Sequence, residues 1–320
     1  MMFGCKISGT ITKDGVGVED VTVSISGPYN TTKTNSDGYY EFNYLRPGTY
    51  TITPAIGCGN SDPASQKIQK SLFKDVTDVN FIFEENVYSG DFSITNASDL
   101  DALSGYTSIS GNLTIDGTSL TNLDGLECLL AIGGYLHVGD NTQLNDLHGL
   151  QNLSTVNQRV TFDNNDGLTN LDGLESLTEI GEALVIKDNS SLVNIDGLSQ
   201  VTNIGLDLYI YNNDALLDVN GLSSLETIMH CLLIYGNDKL KNLNGLGALT
   251  KVGEYGGYLM IYYNVSLTDL GLNSLIYVNG DFLIQNNSNL CTSKASALKI
   301  QVNNAEGITG TITISGNKSC

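Results

Sequence analysis

The stretch Leu208-Tyr209-Ile210-Tyr211-Asn212-Asn213 decides the fold, because it returns. Upstream copies are LVIKDN (Leu184–Asn189), VTFDNN (Val160–Asn165) and LHVGDN (Leu136–Asn141). Downstream copies are LLIYGN (Leu232–Asn237), LMIYYN (Leu259–Asn264), FLIQNN (Phe282–Asn287) and ITISGN (Ile312–Asn317). Two degenerate copies, FSITNA from Phe92 and LTIDGT from Leu113, come first. The final asparagines fall at 141, 165, 189, 213, 237, 264, 287 and 317, in steps of 24, 24, 24, 24, 27, 23 and 30. A period of this size is the signature of a solenoid.

Within each copy apolar and variable positions alternate, which is the period of a strand. The remainder of the unit is just as regular. In one coil it supplies Leu168, Leu171, Asp172-Gly173-Leu174, Leu177 and Ile180-Gly181. Together with Val160 and Phe162, these leucines and Ile180 are apolar positions expected to point inward. One coil of this length cannot bury them, whereas stacked coils can. The asparagine column is expected to hold turn residues that tolerate the left-handed conformation and bond to neighbouring coils.

This pattern resembles the receptor L-domain over about Gly90 to Cys320. That family is a leucine-rich, right-handed single-strand β-helix, found in the insulin and epidermal growth factor receptor ectodomains and in many microbial surface proteins. The opening segment is also similar to the family: Phe92-Ser93-Ile94, Ser98-Asp-Leu-Asp-Ala-Leu103 and Ile109-Ser-Gly-Asn-Leu-Thr-Ile115. Ser98 is read as the N-cap of a short helix covering the open end of the stack.

The first eighty residues follow another pattern. Short alternating runs, Lys6–Ile11, Val21–Ile25, Tyr39–Phe42, Thr49–Thr53 and Val79–Phe83, are separated by Lys13-Asp-Gly15, Ser36-Asp-Gly38 and Arg46-Pro-Gly48. Such spacing predicts a small antiparallel sandwich. The run resembles the carboxypeptidase regulatory-like domain of bacterial surface proteins, which implies a spacer or stalk. Related surface domains cross-link a Lys to an Asn beside an acidic residue. Lys6, Asn80 and Glu41 hold such positions, but Pro54 stands where the related pattern has its Glu, so these are read as solvated strand residues. The expected architecture is all-β: a sandwich at 1–84, then a solenoid of about nine to ten coils at 85–320, with a helical cap at its opening and a second cap at its C-terminal end.

Composition narrows the function. A net charge of −20 excludes the basic footprint that nucleic-acid binding needs. No run approaches the apolar length of a transmembrane helix. No signal peptide is visible ahead of Cys5. Phe3-Gly4-Cys5 resembles the end of a bacterial lipobox, whose Cys carries a lipid; the other reading is an ordinary thiol or half-cystine. None of the six cysteines has metal-ligand spacing. Cys291 and Cys320 bracket the last segment, where a bridge would staple a coil that lacks a neighbour. Cys5 and Cys58 compete between bridging each other and lipidation of Cys5. Cys128 and Cys231 lie some four coils apart, roughly 20 Å at one strand spacing per coil, too far to pair, and are read as small buried hydrophobes. An exported, oxidising setting is favoured. Sequons at Asn30, Asn112, Asn152, Asn189, Asn264 and Asn317 matter only in a eukaryotic secretory host.

Aligning the copies shows which side chains leave the sheet. Tyr209, Leu233 and Met260 follow one another in one outward column, and Tyr211, Tyr235 and Tyr262 in the next. Tyr258 and Tyr263 flank them. These eight residues are the expected ligand-binding patch, for an exposed aromatic cluster usually marks a contact surface. The plain alternative is that strand-favouring aromatics simply stack down the ladder. In the earlier coils Asp116, Asp140, Asp163 and Asp188 lie near the same face. Parallel β-helices host glycan-cleaving enzymes with paired carboxylates, but only Arg159 and Lys187 accompany these, and turn chemistry accounts for them. A weak calcium site is the one ion expected there; no other cofactor is. His137, His148 and His230 sit at different repeat phases and are expected to form no triad or metal cluster. The sequence thus points to a non-catalytic protein of the cell exterior or cell surface that binds a glycan or protein. Self-association through the tyrosine face is the second reading, and a glycan-active enzyme the third.

Overall fold

The computed structural model describes residues 5–27, 31–55, 57–71 and 74–320, apart from the side chains of Cys5 and Asn60. The lipobox-like Cys5 thiol and the sequon at Asn30 therefore lie outside the described residues. The chain forms two compact units. One comprises residues up to Val87 with Gly105–Thr107, the other Tyr88–Ser104 with Ser108–Cys320.

The first unit is a pair of small sheets around one apolar core. Cys5–Lys13 pairs antiparallel with Tyr39–Leu45 and, unlike the expected all-antiparallel arrangement, parallel with Phe81–Glu84. The second sheet sets Thr22–Ile25 between Thr31–Lys33 and Gly48–Ala55, with Gln66–Lys70 outside. Alternation drives the layering: Ile7, Ile11, Val23, Ile25, Ile52 and Phe81 all turn into the core. Tyr40 joins them by giving its hydroxyl to the Val79 carbonyl, so its polar end is satisfied in the interior.

The second unit is a β-solenoid with two parallel ladders. The long ladder runs through ten strands, from Phe92–Ile94 to Ile312–Ser315, and every copy of the repeated phrase is one of its rungs. A second, short ladder of two-residue strands includes Ser108–Ile109 and ends at Gly307–Ile308. Between them, Asp/Asn-Gly-Leu segments form single 3₁₀ turns, such as Asp196–Leu198 and Asn220–Leu222. The expected inward residues, Val160, Phe162, Leu168, Leu171, Leu174, Leu177 and Ile180, are all fully buried. The glycine of these turns serves close approach: a Cβ on Gly221 would run into the carbonyl of Ile195 in the preceding coil.

The asparagine column differs from its expected role. Asn141, Asn165, Asn189, Asn213, Asn237, Asn264 and Asn287 are all buried at 1% exposure or less. The left-handed residue is the one before: Asp140, Asn164, Asp188, Asn212, Tyr263 and Asn286 have φ between 53° and 56°. That turn aims the following side chain inward. Asn213 then gives its amide N–H₂ to the carbonyls of Ile186 and Tyr211 and to Asn237 Oδ1, at 2.9, 3.1 and 3.2 Å. Its own Oδ1 accepts from the Asn189 backbone N–H. The column is a continuous amide ladder inside the stack, with each buried polar atom paired.

The ends are capped as the repeat requires. The helix Ala97–Leu103 buries Leu100 and Leu103. Its N-cap is Asn96, not Ser98: Asn96 is extended and its side chain accepts from the Ser98 N–H at 2.9 Å. At the other end lies helix Thr292–Asn304, and Cys291 is bonded to Cys320 with Cα atoms 5.5 Å apart.

Candidate binding face of the long ladder

Strand alternation sends Leu208, Ile210, Leu232 and Ile234 into the core and leaves their neighbours on the outer face. Parallel pairing without a register slip then places equivalent residues on adjacent rungs. Tyr209, Leu233 and Met260 are successive partners, as are Lys187, Tyr211, Tyr235, Tyr262 and Gln285. The rings of Tyr211 and Tyr235 stack with centroids 5.9 Å apart and planes 29° apart. Tyr235 and Tyr262 stack at 5.0 Å and 23°. Tyr258 stands at the margin, its hydroxyl 3.4 Å from that of Tyr209.

The direction of stacking matters. Because it follows the ladder, each ring covers a face of its neighbour, and the stack offers ring edges and hydroxyls to solvent. Tyr263 is different. It lies edge-to-face with Tyr262, at 5.6 Å and 67°, and is 52% exposed. It also carries φ 56° at the position that Asn, Asp or Gly occupies in the neighbouring coils. A bulky side chain is disfavoured in that conformation.

Burial of the phenols raises their pKa. For Tyr209 burial is the main cause, helped by the bond to Tyr258. Tyr211 is also raised by burial, partly opposed by Lys187. Tyr262 is raised by burial and then by Tyr235. These hydroxyls stay protonated, and so remain donors, well into the alkaline range.

The face changes character toward the earlier coils. There a concavity of about 530 Å³ is lined by Asp116, Tyr135, His137, Gln158, Arg159 and Glu182, among others. Beside it Asp163 is 9% exposed, with Oδ1 3.6 Å from His137 Nε2 and Oδ2 3.4 Å from Lys187 Nζ. Oδ1 has no hydrogen-bond partner. Burial pulls Lys187 down, but Asp163, Tyr211 and Asp188 together hold it above its ordinary value. The carboxylates Asp116, Asp140, Asp163 and Asp188 do not converge into a metal-ligand group.

One group among the described residues does converge: Asp207, His230 and Cys231. The expectation concerned His137, His148 and His230 among themselves; here His230 alone meets a carboxylate and a thiol. Asp207 lies 24 residues before Cys231, which in the stack is one rung. The sequence signal was present in the column just ahead of the repeated phrase, where Tyr135, Arg159, Asp207, Cys231 and Tyr258 recur in register. Reading only the alternation inside the phrase misses it, together with Tyr135, Gln158 and Glu182 of the concavity.

The remaining candidates resolve simply. Cys231 is free and 1% exposed, and burial, then Asp207, raises its thiol pKa. Cys128 takes part in a disulfide, so it is not the unpaired buried thiol expected; Cys58 is likewise a half-cystine. Lys6 Nζ is held 3.0 Å from Tyr39 Oη and 3.3 Å from Glu41, while Asn80 accepts from Thr10, so the cross-linking trio is not assembled. The sequon asparagines 189 and 264 are interior and closed to modification in the folded chain.

Comparison with protein families agrees with the architecture. Residues 6–71 match the carboxypeptidase regulatory-like domain. Residues 105–197 and 204–303 match the receptor L domain. No curated protein matches the chain. Both families are non-catalytic binding or regulatory modules.

Proposed function

The chain belongs to the receptor L-domain family, and from that premise we propose that it is a non-catalytic binding module of the cell exterior. Its ligand, an extracellular glycan or protein, docks on the outer face of the long ladder through Tyr209, Tyr211, Leu233, Tyr235, Tyr258, Met260, Tyr262 and Tyr263. The observation that carries this reading is Tyr263. A half-exposed aromatic ring is kept in a left-handed turn, against backbone preference, at the end of a stacked tyrosine row. The free face of Tyr263 is a platform for a sugar ring or an apolar side chain. The edges of Tyr211, Tyr235 and Tyr262 supply a row of hydroxyl donors beside it. The polar concavity of the earlier coils continues the surface with groups of both charges, which suits an extended ligand.

The family and the disulfide bonds support a location outside the cell. Among the described residues no helix is long and apolar enough to cross a membrane. A stalk role for the first unit follows from its own family likeness.

The test is a glycan array read with labelled full-length protein, beside light scattering. A ligand-binding face gives array signal that the double variant Tyr211→Ser/Tyr235→Ser loses, while both proteins stay monomeric. Oligomers that grow with concentration and vanish in the variant would instead establish self-association. Turnover of any array glycan that is abolished by Asp163→Asn would make the protein an enzyme.

A further inference from the structure

Cys231 departs from the chemistry of the aromatic face beside it. It is the first residue of its strand Cys231–Tyr235, almost fully covered, with Asp207 one rung before and Tyr258 one rung after. Tyr258 is the strand partner of Cys231 on that next rung. Asp207 Oδ1 is 2.8 Å from His230 Nδ1, and Cys231 Sγ is 3.4 Å from that same nitrogen. The three donor atoms, one oxygen, one nitrogen and one sulfur, all lie within 4.8 Å of one another.

This is not the layout of a nucleophile relay. A relay uses the two ring nitrogens separately, one toward the nucleophile and one toward the carboxylate. Here both partners address Nδ1. Three donors of different elements meeting at one point is the geometry a cation organises. A hydrogen on Nδ1 would lie between carboxylate and sulfur, and a divalent ion in its place would be bound by all three. With the usual bond lengths, a tetrahedral zinc ion keeps such ligands roughly 3.3–3.6 Å apart. The sulfur–nitrogen pair already has that separation, and the oxygen–nitrogen pair would open by about 0.5 Å. A thiolate and a carboxylate together neutralise a divalent charge, so no net charge is buried. Sulfur with imidazole selects zinc over calcium or magnesium, which prefer oxygen alone.

We propose that Asp207, His230 and Cys231 form a zinc site that clips two successive coils together at the margin of the tyrosine face. Tyr258 or a water takes the fourth position. The site borders the proposed ligand face at Tyr258 but needs none of the stacked rings of Tyr211, Tyr235 and Tyr262.

Cobalt is the probe, titrated into the oxidised full-length protein without reductant. The expected result is one cobalt ion per chain with thiolate-to-cobalt charge-transfer absorption and the intense bands of a tetrahedral site. Zinc displaces it and excess calcium does not. Cys231→Ser removes the charge-transfer absorption. His230→Gln, at a half-exposed side chain, weakens cobalt by more than about tenfold. Zinc raises the melting temperature of the wild type and not of His230→Gln. A cobalt spectrum without thiolate character, or affinity unchanged in His230→Gln, would overturn the proposal and assign the ion to the acidic surface. If Cys231→Ser does not fold, His230→Gln decides alone. Tyr211→Ser/Tyr235→Ser leaves the cobalt spectrum intact, so failure of either reading is seen separately.

Discussion

Asn213 shows how one side chain joins three coils. Its amide bonds reach Ile186 in the coil before, Asn237 in the coil after and Tyr211 in its own, all away from water. Each buried group left without a partner costs about 1–3 kcal/mol. Asn213→Ala strands several, so it should lower unfolding free energy by about 3 kcal/mol or more, read from the urea midpoint at an unchanged slope. The half-buried neighbour Asn212, whose side chain makes a single bond to Asp188, should cost less when replaced by Ala. The period of the asparagines was legible in the chain, but their burial was not. Periodicity shows which positions are equivalent, while a turn's backbone geometry decides which of two adjacent residues faces in. The same limit moved the helix cap from Ser98 to Asn96, two residues that both suit the position chemically.

Strands and turns carry a different kind of information. Strand alternation with a fixed repeat was enough to put Tyr211, Tyr235 and Tyr262 on neighbouring rungs, where their rings stack. The order of the coils' apolar positions was enough to identify the core. What lay outside the alternating run was not placed in space, which is why the meeting of Asp207 with His230 and Cys231 was not anticipated. Two outcomes belong to this scale. Gly221→Ala forces a Cβ against the Ile195 carbonyl and should destabilise the stack by about 1–3 kcal/mol, as overpacking does; chemical denaturation measures it. Replacing Cys291 by Ala opens a loop of 29 residues and should cost about 3–4 kcal/mol, with amide exchange in Ile312–Ser315 accelerating first. The tyrosine row also has a pH signature. Phenols raised by burial in the folded chain favour folding fully below the ordinary tyrosine value of 10.0. That contribution is lost as pH rises above it toward the folded values. Ultraviolet titration should therefore show a late-ionising class of tyrosines that disappears on unfolding.

At the scale of the molecule, the solenoid turns a sparse linear pattern into a continuous surface, because neighbours in space are a full repeat apart in sequence. Its face is not uniform: charged and concave in the earlier coils, aromatic in the later ones. The net charge of −20 works against contact with a polyanion, and the proposed face offers shape, hydroxyls and rings instead. A scaffold selected for stability alone would place Asn at position 263, as at 212 and 286. On the proposed reading binding and stability oppose each other at this residue, and one substitution separates them. In Tyr263→Asn the account predicts a gain of about 1 kcal/mol in unfolding free energy, from relief of the left-handed tyrosine, together with loss of the array signal of the wild type. A variant that binds as well as the wild type, whatever its stability, would contradict the claim that this face is the binding surface.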